Sequence, residues 1–441
     1  MIRRLSVLAA LALAGPGASL ALAQGAISLD DAVARALARH PAVAAAAAAE
    51  RAATARVSEA RAGRLPSADV VEGWQRGNQP VYAFGSLLAQ RRFLSENLAL
   101  DALNHPPATN NLRLGVTVEQ PLFNRATDAG VRGAASGEAM AGIARTAVAA
   151  DLRLATTAAY AGVLSAIAVH MAADRALEAA VADRDRTGHR RDAGRATDAD
   201  VLQFDVHVAR AQARQAQAVA GERVARAHLN GLIGEPLDAP TAVMPVTAER
   251  SPASATAAPV VAPGVGGRPD VRLAAARETQ ARAAVDGARA AFLPQVSAQA
   301  GWEANGGSWG SRSPSWAVGV VGRLNVFRGF GDQARLSAAR SDAEQRAAER
   351  RQVESAAEVE ILSAQARLTA AEAADAAMAS VAAQARESQR IVRERYEQGL
   401  AESVALLRAA ELVYESDAAQ ATAAAGVLTA RAELDRAQGS H

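Results

Sequence analysis

Few residues in this chain have the spacing of a shared task, and they gather around two glycines. Gly194 precedes Thr197-Asp198-Ala199-Asp200-Val201-Leu202, and Gly399 precedes Glu402-Ser403-Val404-Ala405-Leu406-Leu407. A glycine so placed can take the left-handed conformation that ends a helix. A side-chain oxygen four residues on can cap the returning helix, so Asp198 and Ser403 are expected as N-caps. Tyr396 stands three residues before the second glycine and Arg408 nine after it, while Asp200 stands six after the first. The chemistry available here is hydrogen bonding and charge at a helix reversal.

Bond-making chemistry finds no footing. His40, His105, His170, His189, His207, His228 and His441 show no ligand spacing such as H-E-x-x-H, and there is no cysteine, so no metal site is expected. Gly264-Val265-Gly266-Gly267 and Gly329-Phe330-Gly331 lack the strand–helix setting of a phosphate loop. No catalytic residue and no cofactor are expected. The 48 basic side chains are all arginine and are interleaved with 46 carboxylates. A nucleic-acid partner needs a basic face, and none is expected. Without cysteine there is no disulfide frame and no thiol for a lipid anchor.

The elements that must carry these turns are written twice. His40-Pro41-Ala42-Val43 is followed by Leu65-Pro66, and Arg268-Pro269-Asp270-Val271 by Leu293-Pro294, each pair 228 residues apart. The two glycine turns are 205 apart. Such an echo signals two copies of one supersecondary unit, the first longer by about 23 residues between the two marks.

Residues 1–23 read as a secretory signal, with Arg3-Arg4, an apolar run from Leu5 to Leu22 and Ala21-Leu22-Ala23 as cleavage site. Half of the residues are apolar, but alanine supplies most of them and aromatics are 3%. That composition suits close contact between long helices better than a thick core. Charge is expected to recur too often after residue 23 for a membrane-spanning helix, so any span must be made of strands.

Ser28-Leu29-Asp30-Asp31 reads as a capping box opening an alanine helix that Pro41 interrupts and that runs on to about Gly63. Leu112 to Glu119 alternates, with apolar side chains on even positions. Val296, Ala298, Ala300 and Trp302 alternate in the second copy, as do Trp316, Val318 and Val320. Each run has about the 9–11 residues of a tilted membrane strand, with Trp302 and Trp316 where an aromatic girdle would lie. A short soluble hairpin would show the same pattern. From Asp332 to Gln398 no proline interrupts the helical texture. At 1.5 Å per residue this amounts to about 100 Å of helix, with self-association expected to supply the missing burial.

The signal segment, the duplicated helix–strand–strand–helix halves, the turns at Gly194 and Gly399, Gln120-Pro121-Leu122-Phe123 and Arg395-Tyr396-Glu397-Gln398-Gly399 together resemble the TolC-type outer-membrane efflux proteins. The resemblance covers essentially the whole chain after residue 23. It implies a mainly α protein with a membrane β-barrel part: a long helical barrel, four strands per protomer and a trimeric twelve-stranded barrel. The expected layout is 24–245 for the first repeat with a long extracellular loop at about 75–111, 246–268 for a linker and 269–441 for the second repeat. It further implies a homotrimer in outer-membrane lipid that takes substrates from an inner-membrane pump through a periplasmic adaptor. Type I protein secretion uses the same architecture, and a soluble periplasmic coiled-coil protein is the rival from another class.

The same resemblance makes Gly194, Asp198, Asp200, Tyr396, Gly399, Ser403 and Arg408 a periplasmic tip and gate. It implies a hydrogen bond between Tyr396 and Asp200. The family's arginine falls at Ala401, and its two pore carboxylates fall at Ala405 and Arg408, so an acidic ring is not carried over at that level, though three copies of Asp200 could supply one nearby. Tyr82, Phe84 and Phe93 concentrate aromatics in the 75–111 segment, where an extracellular lid and a binding surface both remain open readings.

Overall fold

A computed structural model describes residues 25–246 and 265–439. The expected signal, 1–23, lies outside the described residues, as does most of the expected linker. The described elements are, in order, α1 (Leu29–Arg39), α2 (Pro41–Ala62), β1 (Ser67–Gly77), α3 (Pro80–Ala89), α4 (Leu100–Asn104), β2 (Thr109–Phe123), α5 (Arg125–Asp192) and α6 (Asp198–Ile233). After the undescribed segment follow α7 (Pro269–Ala290), β3 (Gln295–Gly306), β4 (Arg312–Arg323), α8 (Gly331–Glu397) and α9 (Ser403–Gln438).

Ser28 opens α1 as its sequence suggests: its hydroxyl accepts from the Asp31 amide at 3.1 Å and donates to the Asp31 carboxylate at 2.8 Å. Pro41 restarts the helix. His40 sits extended as N-cap, its Nδ1 accepting from the Ala42 amide at 3.2 Å, and Pro41 takes the first helical position, where no N–H is needed. Pro269 does the same for α7 behind Arg268.

The chain divides into two compact units, and each draws on both sequence copies. One, of 37–155, 257–374 and 427–441, holds the sheet. Its four strands run β1-β2-β3-β4, all antiparallel, with β1 and β4 at the edges. The register sets Val70, Val116, Trp302 and Trp316 in one row, and Val118, Ala300 and Val318 in the next. The even face is therefore apolar across all four strands in these two rows, while nearer the strand connections it carries Glu72 and Arg312. The odd face carries Asp69, Gln75, Arg113, Thr117, Glu119, Ser297, Gln299 and Glu303, with Arg113 and Glu303 paired at 2.8 Å. β2 runs through Pro121 to Phe123, further than the alternation shows, and its register shifts between those two residues. Proline cannot donate to the ladder, so a bulge there is the natural accommodation.

Two expectations need correcting in this sheet. Leu112 belongs to the apolar face by register but is buried. Arg312, beside Gly306 in β4, reaches Glu72 on β1 at 2.7 Å across the row that Leu112 occupies. A Cβ on Gly306 would collide with the Ser311 carbonyl oxygen and meet Arg312 Cγ at 2.9 Å, so only glycine lets the β4 backbone return so closely with Arg312 lying across it. Leu114 shares its row with Glu72 and buried Ala304, so the exposed apolar face starts at the row of Val70, Val116, Trp302 and Trp316. The 75–111 segment is also more ordered than a loop: β1 extends to Gly77, β2 begins at Thr109, and α3 and α4 lie between them. Pro80 at the first position of α3 starts a helix where composition suggested only a turn.

A third expectation fails in α5. Residues 154–173 contain no Asp, Glu or Arg, and this helix is long and apolar enough by composition to cross a membrane, with a window of mean hydropathy 1.5. The stretch also holds Thr156, Thr157, Ser165 and His170, and it buries Tyr160, Val163, Ala172 and Ala173. The Tyr160 hydroxyl donates to the carbonyls of Ile27 at 2.9 Å and Met244 at 2.7 Å, and burial raises its pKa. Protein backbone, not lipid, meets that side of the helix.

In the sheet-bearing unit the second copy is tied down at Arg268, 4% exposed. Its guanidinium donates to Asp270 at 2.8 and 3.0 Å, to the Ala437 carbonyl at 2.7 Å and to Glu360. One side chain thus joins the start of α7 to α8 and the end of α9. Because Asp270 and Glu360 keep 48% and 39% side-chain exposure, both can rehydrate when the arginine is removed. Arg268→Ala should therefore cost only about 1.5–3 kcal/mol, the range for hydrogen bonds to charged groups. Thermal unfolding followed by helical circular dichroism should show it, and a loss no larger than that of a surface Arg→Ala control would refute the tie.

Candidate functional site

The two glycine turns lie in the other compact unit, whose described residues are 25–36, 156–246 and 375–426. They are the same motif twice. Gly194 and Gly399 have φ of 73° and 78°, which L side chains rarely adopt. The Arg195 amide donates to the Arg190 carbonyl at 2.7 Å and that of Gly194 to Arg191 at 2.8 Å. The Leu400 amide donates to Arg395 at 2.8 Å and that of Gly399 to Tyr396 at 3.0 Å. Both helices thus end with the same pair of reversed bonds.

The returning helices are capped one residue earlier than expected. Thr197, not Asp198, is the N-cap of α6: its Oγ1 accepts from the Asp200 amide at 3.2 Å, while Asp200 Oδ2 accepts from the Thr197 amide at 2.9 Å. The acid that completes the box lies three residues on, so the cap falls at 197. Asp198 is the first helical residue, exposed, 3.6 Å from Arg191. Ser403 likewise begins α9, and the Glu402 carbonyl accepts from the Ala405 amide at 3.1 Å.

Ser403 is buried because its hydroxyl is used across the two turns, donating to Asp200 Oδ1 at 2.7 Å. Asp200 therefore receives the Thr197 amide, the Thr197 hydroxyl at 2.8 Å and the Ser403 hydroxyl. These bonds, the Thr197 amide first, hold its carboxyl below the usual carboxylate range. Such a group contributes stability above its unfolded pKa near 4, which is lost as pH falls through the lower folded value.

Tyr396 and Asp200 are not bonded within the protomer, because each is already committed. The Tyr396 hydroxyl lies 3.0 Å from Thr187 Oγ1. Thr187 spends its single hydrogen on the Asp183 carbonyl at 2.9 Å, so the tyrosine is the donor in that pair. The Arg190 guanidinium stacks 4.5 Å from the centre of the Tyr396 ring and donates to the Tyr396 carbonyl. Phe204, Tyr396 and Leu406 form a small apolar core, with Ala401 packed against it. Beneath it Asp183, 3% exposed, accepts from Arg186 and from Arg393 at 3.4 Å.

Of the residues singled out from sequence, Gly194, Gly399, Asp200, Ser403 and Tyr396 come together here. Asp198, Ala405 and Arg408 are exposed. Thr187, Asp183, Arg190 and Phe204 escaped the sequence reading, since nothing in a long helix of arginine, aspartate and alanine marks which turn of it faces a neighbour. Among the described residues no cluster of three or more His, Asp or Glu could hold a metal ion.

The hydrogen-bond direction fixes an ordering of variants. Thr187→Val strands the buried tyrosine hydroxyl and should cost about 1–3 kcal/mol, against about 0.5–1.5 for Tyr396→Phe, which removes the donor and leaves Thr187 satisfied. The double variant, with two apolar groups facing, should be less destabilised than Thr187→Val alone. Equal single costs that simply add would contradict the assigned direction. Limited proteolysis at the two turns should likewise accelerate below about pH 4, and Asp200→Asn should abolish that response; a variant with an unchanged profile would refute the role of Asp200.

The family described as outer membrane efflux protein matches residues 32–235 and 266–440. No curated protein matches the sequence. Among solved structures, the outer membrane protein VceC of Vibrio cholerae aligns with a TM-score of 0.76 at 19% identity, covering 93% of this chain and 96% of that one. CusC, whose structures describe folding and transmembrane channel formation, aligns at 0.82 and 17%, covering 94% and 92%. The open MtrE outer membrane channel of Neisseria gonorrhoeae aligns at 0.76 and 19%, covering 93% and 88%. At these identities the likeness is one of fold.

Proposed function

The chain belongs to the outer membrane efflux protein family, and from that premise we propose that three copies close one barrel around a common axis, as a passive exit duct for substrates handed over by an inner-membrane pump. The observation that carries this reading is the sheet. From the Val116 row toward the long helices it is apolar on one face and mainly polar on the other, and it ends in unpaired edges at β1 and β4. Unpaired edges are not tolerated in hydrocarbon, and closing a membrane barrel takes at least ~8 strands. Four strands per chain therefore require further copies, with even faces toward lipid and odd faces toward the lumen.

In this arrangement the helices extend into the periplasm, and the turns at Gly194 and Gly399, with Asp198, Asp200, Tyr396, Ser403 and Arg408, form the entrance that a periplasmic adaptor meets. Each protomer's pair of turns is welded internally by Tyr396–Thr187 and Asp200–Ser403. Opening then moves whole turns as units. The family favours efflux over protein secretion, and nothing in the chain's own chemistry adds a catalytic step.

The absence of cysteine makes the test direct. Single cysteines at Val116 and Val318 should react with a lipid-soluble reagent, and those at Thr117 and Ala317 with a water-soluble one. Val116→Arg should cost about 2–4 kcal/mol if it lies near the bilayer midplane. Identical labelling of both faces would sink the barrel, and a monodisperse monomer of full helix content by light scattering would sink the assembly.

A further inference from the structure

The helix α3 is built inside out. Its buried positions are Ala83 and Ser86, with Gln90 just beyond its end. Its exposed positions are Val81, Phe84, Gly85 and Leu88, spaced i, i+3, i+4 and i+7 as one stripe. Val81 is 81% exposed, Phe84 36% and Leu88 48%. An amphipathic helix on a water-soluble surface places these faces the other way round. Large apolar side chains held outward on a helix mark a contact that the single chain does not complete.

The helix is not free to roll its apolar stripe inward, because its other side is bonded across the sheet. Tyr82 donates its hydroxyl to the Gln75 carbonyl on β1 at 2.7 Å. Gln90 donates to the Asn110 carbonyl at 2.7 Å and to Asn111 Oδ1 at 3.1 Å on β2. Ser313 on β4 donates to the Gln90 carbonyl at 2.9 Å, and Arg91 donates to the Pro314 carbonyl at 3.2 Å. Asn111, Asn305 and Ser313 share the odd face, and Asn111 donates to Asn305 at 2.8 Å beneath Gln90. Thus α3 lies over the polar face, at the end of the sheet opposite the long helices, anchored from one edge strand to the other.

We propose that three copies of α3 meet over the outer mouth of the barrel and form an apolar collar from Val81, Phe84 and Leu88. The inference rests on the trimeric barrel proposed above. Once the even face is turned to lipid, everything fixed to the odd face stands over the lumen. The stripe that points away from the sheet, with Phe84 packed edge-on against Phe93 at 4.8 Å, then points toward the axis, where it meets the same stripe on the other copies. A ring of apolar side chains across a water-filled passage resists wetting, and channels gate in this way. The collar keeps small polar solutes out while apolar cargo pushes through it. The 75–111 segment is on this reading a valve on the outer side.

Val81→Cys and Leu88→Cys, made singly, each place one thiol per protomer. Under mild oxidation of the purified protein, both should give a covalent dimer on a non-reducing gel. A lipid-facing Val118→Cys control should give none. In the unoxidised trimer, a water-soluble thiol reagent should label Val81→Cys less than the lumen control Ala317→Cys, and labelling should be restored by Phe84→Ser. An intact trimer by light scattering with neither cross-linking nor protection at these positions would overturn the collar while leaving the barrel standing. A monomer would overturn the barrel itself.

Discussion

The rest of the structure answers to one constraint, which is that a sheet edge cannot be left open in hydrocarbon. β1 has 11 residues and β4 has 12, and on each edge about every second peptide group points at no partner. Each such group left dry costs several kcal/mol, so the sum far exceeds the 5–15 kcal/mol by which a folded chain is stable. On the trimeric arrangement proposed above, these edges pair with other copies of the chain. Because α2, α5, α7 and α8 all join the sheet at the same end, closing a barrel of three such copies would also bring twelve helices side by side. The helical part inherits its arrangement from the strands.

That inheritance explains the composition. Helices placed beside one another by a shared barrel need surfaces that approach closely over a great length, and alanine offers this without bulky interlocking. The buried positions are accordingly dominated by alanine, from Ala32 and Ala36 to Ala382, Ala385 and Ala437. Such contacts are weak per residue and specify register poorly. Register falls instead to arginine–carboxylate pairs such as Arg386–Asp417, Arg431–Glu372 and Arg436–Asp151. Exposed pairs of this kind contribute about 0–1 kcal/mol each, too little to hold the helices together but enough to choose between alignments one turn apart. Arginine suits this role because its long stem lies along the alanine surface while its head finds the acid.

The parts of the fold legible in the sequence were those with a period. Alternation gave β2, β3 and β4 and separated Val116 and Trp302 from Thr117 and Gly301, and the glycine spacing gave both helix reversals. What the sequence hid was determined across space. The cap at Thr197 depends on which of two neighbouring oxygens the helix end meets. The burial of Leu112 depends on an arginine 200 residues later. The uncharged stretch of α5 was missed because its arginine- and aspartate-rich flanks dominate a reading by texture. At the turns, Tyr396 and Asp200 each bond elsewhere within the protomer, Tyr396 to Thr187 and Asp200 to Ser403, since helix texture shows where a chain reverses and not which side chain it brings opposite.

These bonds between the turns follow from how the two copies differ. Both copies keep the glycine and the reversed bonds, but only the first keeps an acid in the capping position; Asp200 corresponds to Ala405 in the second. A helix start without its acid loses part of its cap, and Ser403 at that start would donate to water if the copies stood apart. Instead it donates to the acid of the first copy. One carboxylate thus serves its own cap and draws in the neighbouring helix start. The ring of Tyr396, whose counterpart in the first copy is Arg191, packs on Phe204 and receives Arg190 from the other direction. Divergence has converted two equivalent turns into complementary ones, so that the copies hold each other where identical turns would only have lain side by side.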